Sequence, residues 1–576
     1  MRFFSKSTQT LIASCISSIL LFIYPNITQS QEVYAIYDPL SVPNNKVGIH
    51  LIQATPGESS PAASLVNSSG GDWGYITVLI ESKDRRADKW QEFFNDLRRR
   101  HLIPLVRIAT QPEGNYWKRP YEKEEEAWAD FLDKLVWPTK NRYVIIYNEP
   151  NHATEWGNQI DPKNYAETLD KFIATLKNKN RDFFVLNGGF DASAPSKLPF
   201  YQDEVMFIQQ MEQAVPGIFN KLDGWVSHSY PNPAFAGSPD AVGRATVRGW
   251  FWELQQLRSL GMTKQLPVFI TETGWKHAEG LNYDPSLPNA DTVAKYFTRA
   301  FETTWSSSRI VAVTPFLLSY QEAPFDHFSW KKLTSLYYPQ YQALSSLPKT
   351  FGRPIQERKA ILKKGEIFSS IVAGEIYNIS FTFKNTGQSI WNDRDLVKLA
   401  TLVDGKGLGI EEVTIAADKK VEPGQEYTFN LNLQAPQSGT YKVTLNLFEG
   451  QTEFDSKPLE FTAEVKSPVI LKIKTLLRWK DDASGDYFLS VKGAIGENYQ
   501  QINLGKNGFS EDLEARYLLP DYSFEFSLEK PFYIPKTLSQ KVYTGVNILD
   551  FGTLQPDIFA ALLHPKVLWS LLPFSK

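Results

Sequence analysis

Between Lys46 and about Leu344 the chain repeats one pattern: a short apolar, mostly β-branched run, a turn, then a stretch whose apolar residues return at helical spacing. Short apolar runs without polar alternation suit strands buried on both faces, as in a parallel sheet covered by helices. Val47-Gly-Ile-His-Leu51, Tyr75-Ile-Thr-Val-Leu-Ile-Glu81, Ile103-Pro-Leu-Val-Arg-Ile-Ala109 and Tyr143-Val-Ile-Ile-Tyr147 read as the first four strands. A Ser/Gly-rich loop joins the first two, Trp90, Phe93, Phe94 and Leu97 mark a helix face before the third, and a helix over about Lys123 to Leu135 precedes the fourth. Asp161-Pro162 reads as N-cap and first position of the next helix. Phe183–Asn187, Leu222–His228, Leu266–Ile270 and Ile310–Leu318 complete eight strands. Eight strand–helix units in about 300 residues are the size of a closed TIM (β/α)8 barrel. A doubly wound open sheet is the alternative, but no glycine-rich phosphate loop follows any of these strands.

Two of the strands end in the same way. The fourth stops at Asn148-Glu149-Pro150, where proline ends the ladder, and the seventh at Thr271-Glu272-Thr273-Gly274. A carboxylate at the end of a buried strand is costly unless it has a task. One glutamate that must be protonated at rest and one that must stay ionised are what glycosidic bond cleavage requires.

At these positions, strand four and strand seven, the pair resembles clan A of the retaining glycoside hydrolases, the 4/7 superfamily of (β/α)8 barrels. The resemblance spans about residues 46–345. It implies that Glu149 is the acid/base, Glu272 the nucleophile, and Asn148 the holder of the sugar's 2-hydroxyl. His228-Ser-Tyr230 resembles the clan's His-x-Tyr, whose tyrosine hydrogen-bonds the nucleophile. Arg107 is expected to keep Glu272 ionised, although several families of the clan draw that arginine from strand two. Of the loop-adjacent Trp73, Trp117, Trp156 and Trp275, only Trp275 is expected as a sugar platform. The clan's strand-eight tryptophan has no direct counterpart: Tyr320 and Gln321 stand there, with Trp330 in the loop beyond. His50, at the end of strand one, fits either the site or the core. No metal and no cofactor is expected, and the partner is a carbohydrate.

The remainder divides by pattern. Residues 1–33 carry Arg2 and Lys6, an apolar run from Leu11 to Tyr24 and a polar exit, so a signal peptide is expected, with an uncleaved membrane anchor as the alternative. The protein is therefore expected to be secreted or held at the cell surface. The only cysteine, Cys15, lies inside that run, which removes thiol chemistry from any mature chain. The barrel domain is expected over 36–348 and a charged linker over 349–364. In 365–466 the period changes to two, as in Ile376-Tyr-Asn-Ile-Ser-Phe-Thr-Phe383, and an antiparallel β-sandwich resembling Ig-like accessory domains is expected. A second small β-rich domain follows over 469–576. A formal charge of −3 gives no basic footprint, which argues against a nucleic-acid partner. The competing class is a non-catalytic cell-surface barrel that binds glycan or serves as a scaffold.

Overall fold

The structure is a computed structural model that describes residues 20–22, 36–403, 408–493, 496–564, 566 and 571. Apart from Leu20–Phe22, the expected signal or anchor segment lies outside the described residues. No helix among the described residues is long and apolar enough to cross a membrane. The chain divides into two compact units, one running from Gln29 to Glu357 with Gly387–Ser389, the other holding the rest.

The first unit is a closed eight-stranded barrel. Its strands are β1 (Gly48–Leu51), β2 (Gly74–Glu81), β3 (Leu102–Ala109), β4 (Arg142–Ile146), β5 (Phe183–Asn187), β6 (Trp225–Ser227), β7 (Val268–Ile270) and β8 (Ile310–Val313). Strands β1 to β5 pair in parallel in sequence order, and so do β6 to β8. Single parallel bridges, Leu186 with Gly224 and Val47 with Val313, join the two arcs into a ring. The helices α1 (Pro56–Val66), α2 (Ala87–Arg99), α3 (Glu124–Lys134), α4 (Pro162–Lys179), α5 (Glu204–Ala214), α6 (Gly249–Ser259), α7 (Ala290–Glu302) and α8 (Pro339–Ser346) each follow one strand. Helix α4 starts as its sequence indicates, with the Asp161 side chain accepting from the Asn164 amide and Pro162 opening the first turn.

Helix α1 corrects the loop expected after β1. Its Pro, Gly and Ser content reads as a turn, yet Ala62, Leu65 and Val66 are fully buried against the barrel. Packing there outweighs weak helix propensity.

The barrel interior is filled rather than hollow. Tyr75, Leu105, Tyr143, Phe184, Leu186, Val226 and Phe269 form one buried cluster inside the ring. Tyr143 alone meets Phe184 at 5.0 Å and Phe269 at 5.4 Å between ring centroids. On β4 the period of two sends Tyr143 and Ile145 inward and leaves Val144 and Ile146 for the helix layer. The same alternation on β3 puts Arg107 inward, two residues beyond Leu105. With the interior plugged below, the polar groups that point inward at the strand ends gather at the C-terminal mouth.

The second unit is β-rich. A four-stranded sheet (Leu20–Phe22, Ala360–Phe368, Tyr377–Asn385, Glu426–Leu433) and a six-stranded sheet built around Gly439–Glu449 contribute to one apolar core containing Phe381, Trp391, Phe429 and Leu447. From Val469 onward a three-stranded and a four-stranded sheet share another core around Tyr487, Leu489 and Phe526. The expected linker over 349–364 is corrected: Ala360–Phe368 is a nine-residue strand paired with Tyr377–Asn385. In the tail, Ile558–Leu562 is a short helix whose Ala561 is buried in that last core, while Phe559 stays 85 % exposed.

Candidate active site

The chain leaves β4 through two residues in the left-handed region, Tyr147 at φ 67° and Glu149 at φ 28°. Such conformations are strained for residues with side chains and persist only where the surroundings impose them. Here the Tyr147 ring is locked against Trp156 and Phe172, at 5.3 and 5.6 Å. That anchor directs Asn148 and Glu149 together into the barrel mouth. After β7, Gly274 takes φ 129°, a turn closed to other residues, and leaves Glu272 facing Glu149 across the mouth.

A cleft of about 350 Å³ opens there, with Arg107, Asn148, Glu149, Tyr230 and Glu272 among its lining residues. One oxygen of Glu149, one of Glu272 and a ring nitrogen of His228 all lie within 4.8 Å of one another. The surroundings of the two carboxylates are unequal. Glu272 is ion-paired through Oε1 to the Arg107 guanidinium, and its Oε2 accepts from the Tyr230 hydroxyl at 3.1 Å. Glu149 has neither neighbour; its Oε1 lies 2.8 Å from His228 Nδ1, which is 3.8 Å from Glu272 Oε2.

Burial alone would raise the Glu272 carboxyl, but His228, Arg107 and His50, with the Tyr230 hydrogen bond, hold it down at about 2. The converse acts on Tyr230: burial first, then the charges of Glu272 and Glu149, push its hydroxyl well above the usual phenol range, so it remains a donor. For His228 burial pulls downward, yet the two carboxylates outweigh it and raise the imidazole above its ordinary value. The His228 ring fits because residue 189 is glycine: a Cβ there would stand 2.2 Å from its Cδ2. Glu149, His228 and Glu272 could each offer one ligand atom to a metal ion, but Arg107 already supplies a fixed positive charge to Glu272.

Arg107 comes from β3, and its Nη1 also donates to Asn148 Oδ1 at 2.6 Å. Glu149, Glu272, Asn148, His228, Tyr230 and Arg107 are thus brought into one constellation. His50 lies just outside it. Buried to 1 %, it stands edge-on to Phe316, and burial with the nearby Arg107 charge lowers it to about 4, so it is a neutral residue beneath the floor.

Two expected residues are not in the cleft. Trp275 is 1 % exposed among Tyr296, Phe297 and Trp305, and its indole N–H donates to the Gly237 carbonyl at 2.7 Å. The Gly274 turn throws it outward into the helix layer, so the platform assignment is corrected. Trp330, also 1 % exposed, packs on Phe297 at 4.8 Å. The aromatic walls come instead from Trp117, Phe235, Phe316, Phe325 and Phe328. Trp117 sits on a two-stranded hairpin, Pro112–Glu113 with Tyr116–Trp117, that extends from the β3 loop. Gly114-Asn115 forms the two-residue turn of this hairpin, and nothing in the sequence separates Trp117 from the other loop tryptophans. Beyond Glu149 the wall continues with His152, Glu155 and Asp191; His152 Nε2 and Asp191 Oδ2 are 2.9 Å apart.

No family model matches the sequence, and no curated protein does. Among solved structures, the chain is similar to a family 39 glycoside hydrolase from the gut symbiont Bacteroides cellulosilyticus WH2, at 16 % identity and a TM-score of 0.36, over 72 % of this chain and 87 % of that one. It is also similar to a β-mannanase from Thermomonospora fusca, at 11 % identity and a TM-score of 0.34, over 52 % and 88 %. An endo-β-1,3-glucanase from Sorangium cellulosum matches at 13 % identity and a TM-score of 0.34, over 53 % and 98 %. Likeness at these scores carries no functional weight.

Proposed function

We propose that the barrel is a retaining glycoside hydrolase that cleaves β-linked O-glycosidic bonds of a polysaccharide or oligosaccharide. The observation that carries this reading is the unequal setting of two carboxylates that approach within 4.8 Å. A retaining pair stands about 5–5.5 Å apart and an inverting pair roughly 6.5–9.5 Å, to leave room for water. Nearest carboxylate oxygens this close favour the narrower, retaining spacing, and with it attack by the protein itself.

In this reading Glu272, ionised and held at both oxygens, attacks the anomeric carbon. Glu149 gives its proton to the departing oxygen as the glycosidic bond breaks, leaving a sugar ester on Glu272. Glu149, now a carboxylate, takes a proton from water, whose oxygen displaces Glu272 and releases the sugar with its original configuration. Asn148 holds the 2-hydroxyl, and the aromatic walls stack on sugar faces. Export is part of the proposal, supported by the charged start and apolar run of residues 1–33. An Ig-like accessory role for 365–466 is proposed on its period-two pattern.

The test is a pair of variants assayed on an activated aryl β-glycoside. Glu272→Ala should lose activity on every substrate. Glu149→Ala should form the ester and stall, and added azide, which needs no general base, should restore turnover and give a β-glycosyl azide. An identical response of both variants to azide, or full activity in either, defeats the assignment in favour of the non-catalytic alternative or another site.

A further inference from the structure

The chain alternates through β6 and past its end. Val226, His228 and Tyr230 face the barrel interior and its mouth, while Trp225, Ser227 and Ser229 face the helix layer. Behind them, on α6, stands the carboxyl of Glu253, only 2 % exposed. A carboxyl buried there is costly unless it is satisfied and has a task. It is satisfied at both oxygens. The Trp225 indole N–H donates to Oε2 at 2.7 Å, and the Ser227 hydroxyl donates to Oε1 at 2.9 Å. Ser227 Oγ lies 2.6 Å from Ser229 Oγ, which accepts from the Trp250 backbone N–H at 2.9 Å.

That last bond satisfies a first-turn N–H of α6, a helix with no side-chain cap of its own. A backbone N–H can only donate, so the chain of bonds has one direction: Trp250 to Ser229, Ser229 to Ser227, Ser227 to Glu253. The reverse direction would leave the Ser229 proton with no acceptor in the chain. The Ser229 carbonyl in turn accepts from the Thr273 hydroxyl at 2.6 Å, on the residue that follows Glu272. The strand end that carries His228 and Tyr230 is therefore held from behind at two successive outward positions.

Granted the glycosidase reading on which this rests, we propose that Glu253 is a positioning residue: through Ser227 and Ser229 it fixes the strand end that aims the His228 ring at Glu149 and the Tyr230 hydroxyl at Glu272. It touches neither the cleft nor the substrate. Its effect on the reaction passes through the contacts at 2.8 Å between His228 Nδ1 and Glu149 Oε1 and at 3.1 Å between the Tyr230 hydroxyl and Glu272 Oε2.

The experiment uses the full chain and steady-state kinetics on an activated aryl glycoside, well below the melting temperature of every variant. Glu253→Gln keeps the shape but presents an NH2 to either Trp225 or Ser227, each of which donates. Ser229→Ala removes one oxygen from the middle of the chain. Each should lower kcat about tenfold with KM near wild type. A smaller folded fraction would give the same split, so the deciding readout is a double-mutant cycle with Tyr230→Phe. That change should cost about tenfold in the wild-type background. In either variant it should cost about twofold or less, because the hydroxyl is no longer aimed. A merely structural role leaves the tenfold ratio intact in both backgrounds, and that result overturns the proposal, as does a wild-type kcat in both variants. Should Glu253→Gln fail to fold, the Ser229→Ala cycle decides alone. Wild-type protein inactive on every glycoside would instead refute the underlying reading of the cleft, a separate result.

Discussion

Replacing Tyr230 by Phe removes one oxygen and leaves the ring in place. That ring stands edge-on to Phe235 at 5.0 Å and meets Phe328 at 5.9 Å, contacts that a phenyl group keeps. What disappears is the hydrogen bond donated to Glu272 Oε2 at 3.1 Å. Hydrogen bonds to charged groups contribute about 1.5–3 kcal/mol. Strong O–H···O⁻ contacts run about 2.5–2.7 Å, so the longer one here belongs at the low end, about 1.5 kcal/mol or roughly tenfold in rate. Glu272 would then be held at Oε1 alone and free to turn away from its line of attack. The assay is steady-state kinetics on an activated aryl glycoside, with a thermal melt of the same sample. The expected result is a kcat lower by about tenfold with KM and Tm close to wild type. A wild-type kcat would refute the orienting role, and a large fall in Tm with kcat unchanged would assign Tyr230 to the fold instead.

Gly189→Ala should displace the His228 ring, because the new Cβ would stand 2.2 Å from it; kcat/KM should fall about a hundredfold, and an unchanged value would show that the ring position is immaterial. Glu272 titrates at about 2 in place of 4.5, so its ionisation stabilises the fold fully above about 4.5, and that stabilisation is lost as pH falls toward 2. The advantage of wild type over Glu272→Gln in urea unfolding should therefore shrink by about 3 kcal/mol between pH 6 and pH 2, and a pH-independent difference would contradict the ion-pair account. Trp117→Ala should raise KM for an oligosaccharide about fivefold while leaving Tm alone. Trp275→Ala should cost about 3–5 kcal/mol of stability, and the reverse pattern would restore Trp275 to the substrate.

Most of the constellation was legible because it sits where short-range rules are strictest. The ends of β4 and β7 fix Glu149 and Glu272, and the alternation along β3 aims Arg107 inward. What escaped depends on turns and on distant loops. Trp275 follows Glu272 closely in sequence, yet the intervening Gly274 at φ 129° sends it to the helix layer. Phe316, Phe325 and Phe328 lie in the long connection after β8 and Phe235 in the one after β6, two segments that only the closed barrel brings together. No spacing marks the 3-10 turn Ala153–Glu155 that carries Glu155. Outside the barrel, Ala360–Phe368 was hidden by its lysines and by a register shift between Leu362 and Lys364, which breaks the period of two where a strand would show it.

The most direct measurement of the central claim is mass spectrometry of the protein after incubation with an activated 2-deoxy-2-fluoro β-glycoside, whose fluorine slows release of any glycosyl ester. The expected result is the addition of one fluorosugar, located after proteolysis on the peptide containing Thr271-Glu272-Thr273, and absent from Glu272→Gln. A sugar attached to Glu149, or substrate turnover with no adduct on Glu272, would contradict it.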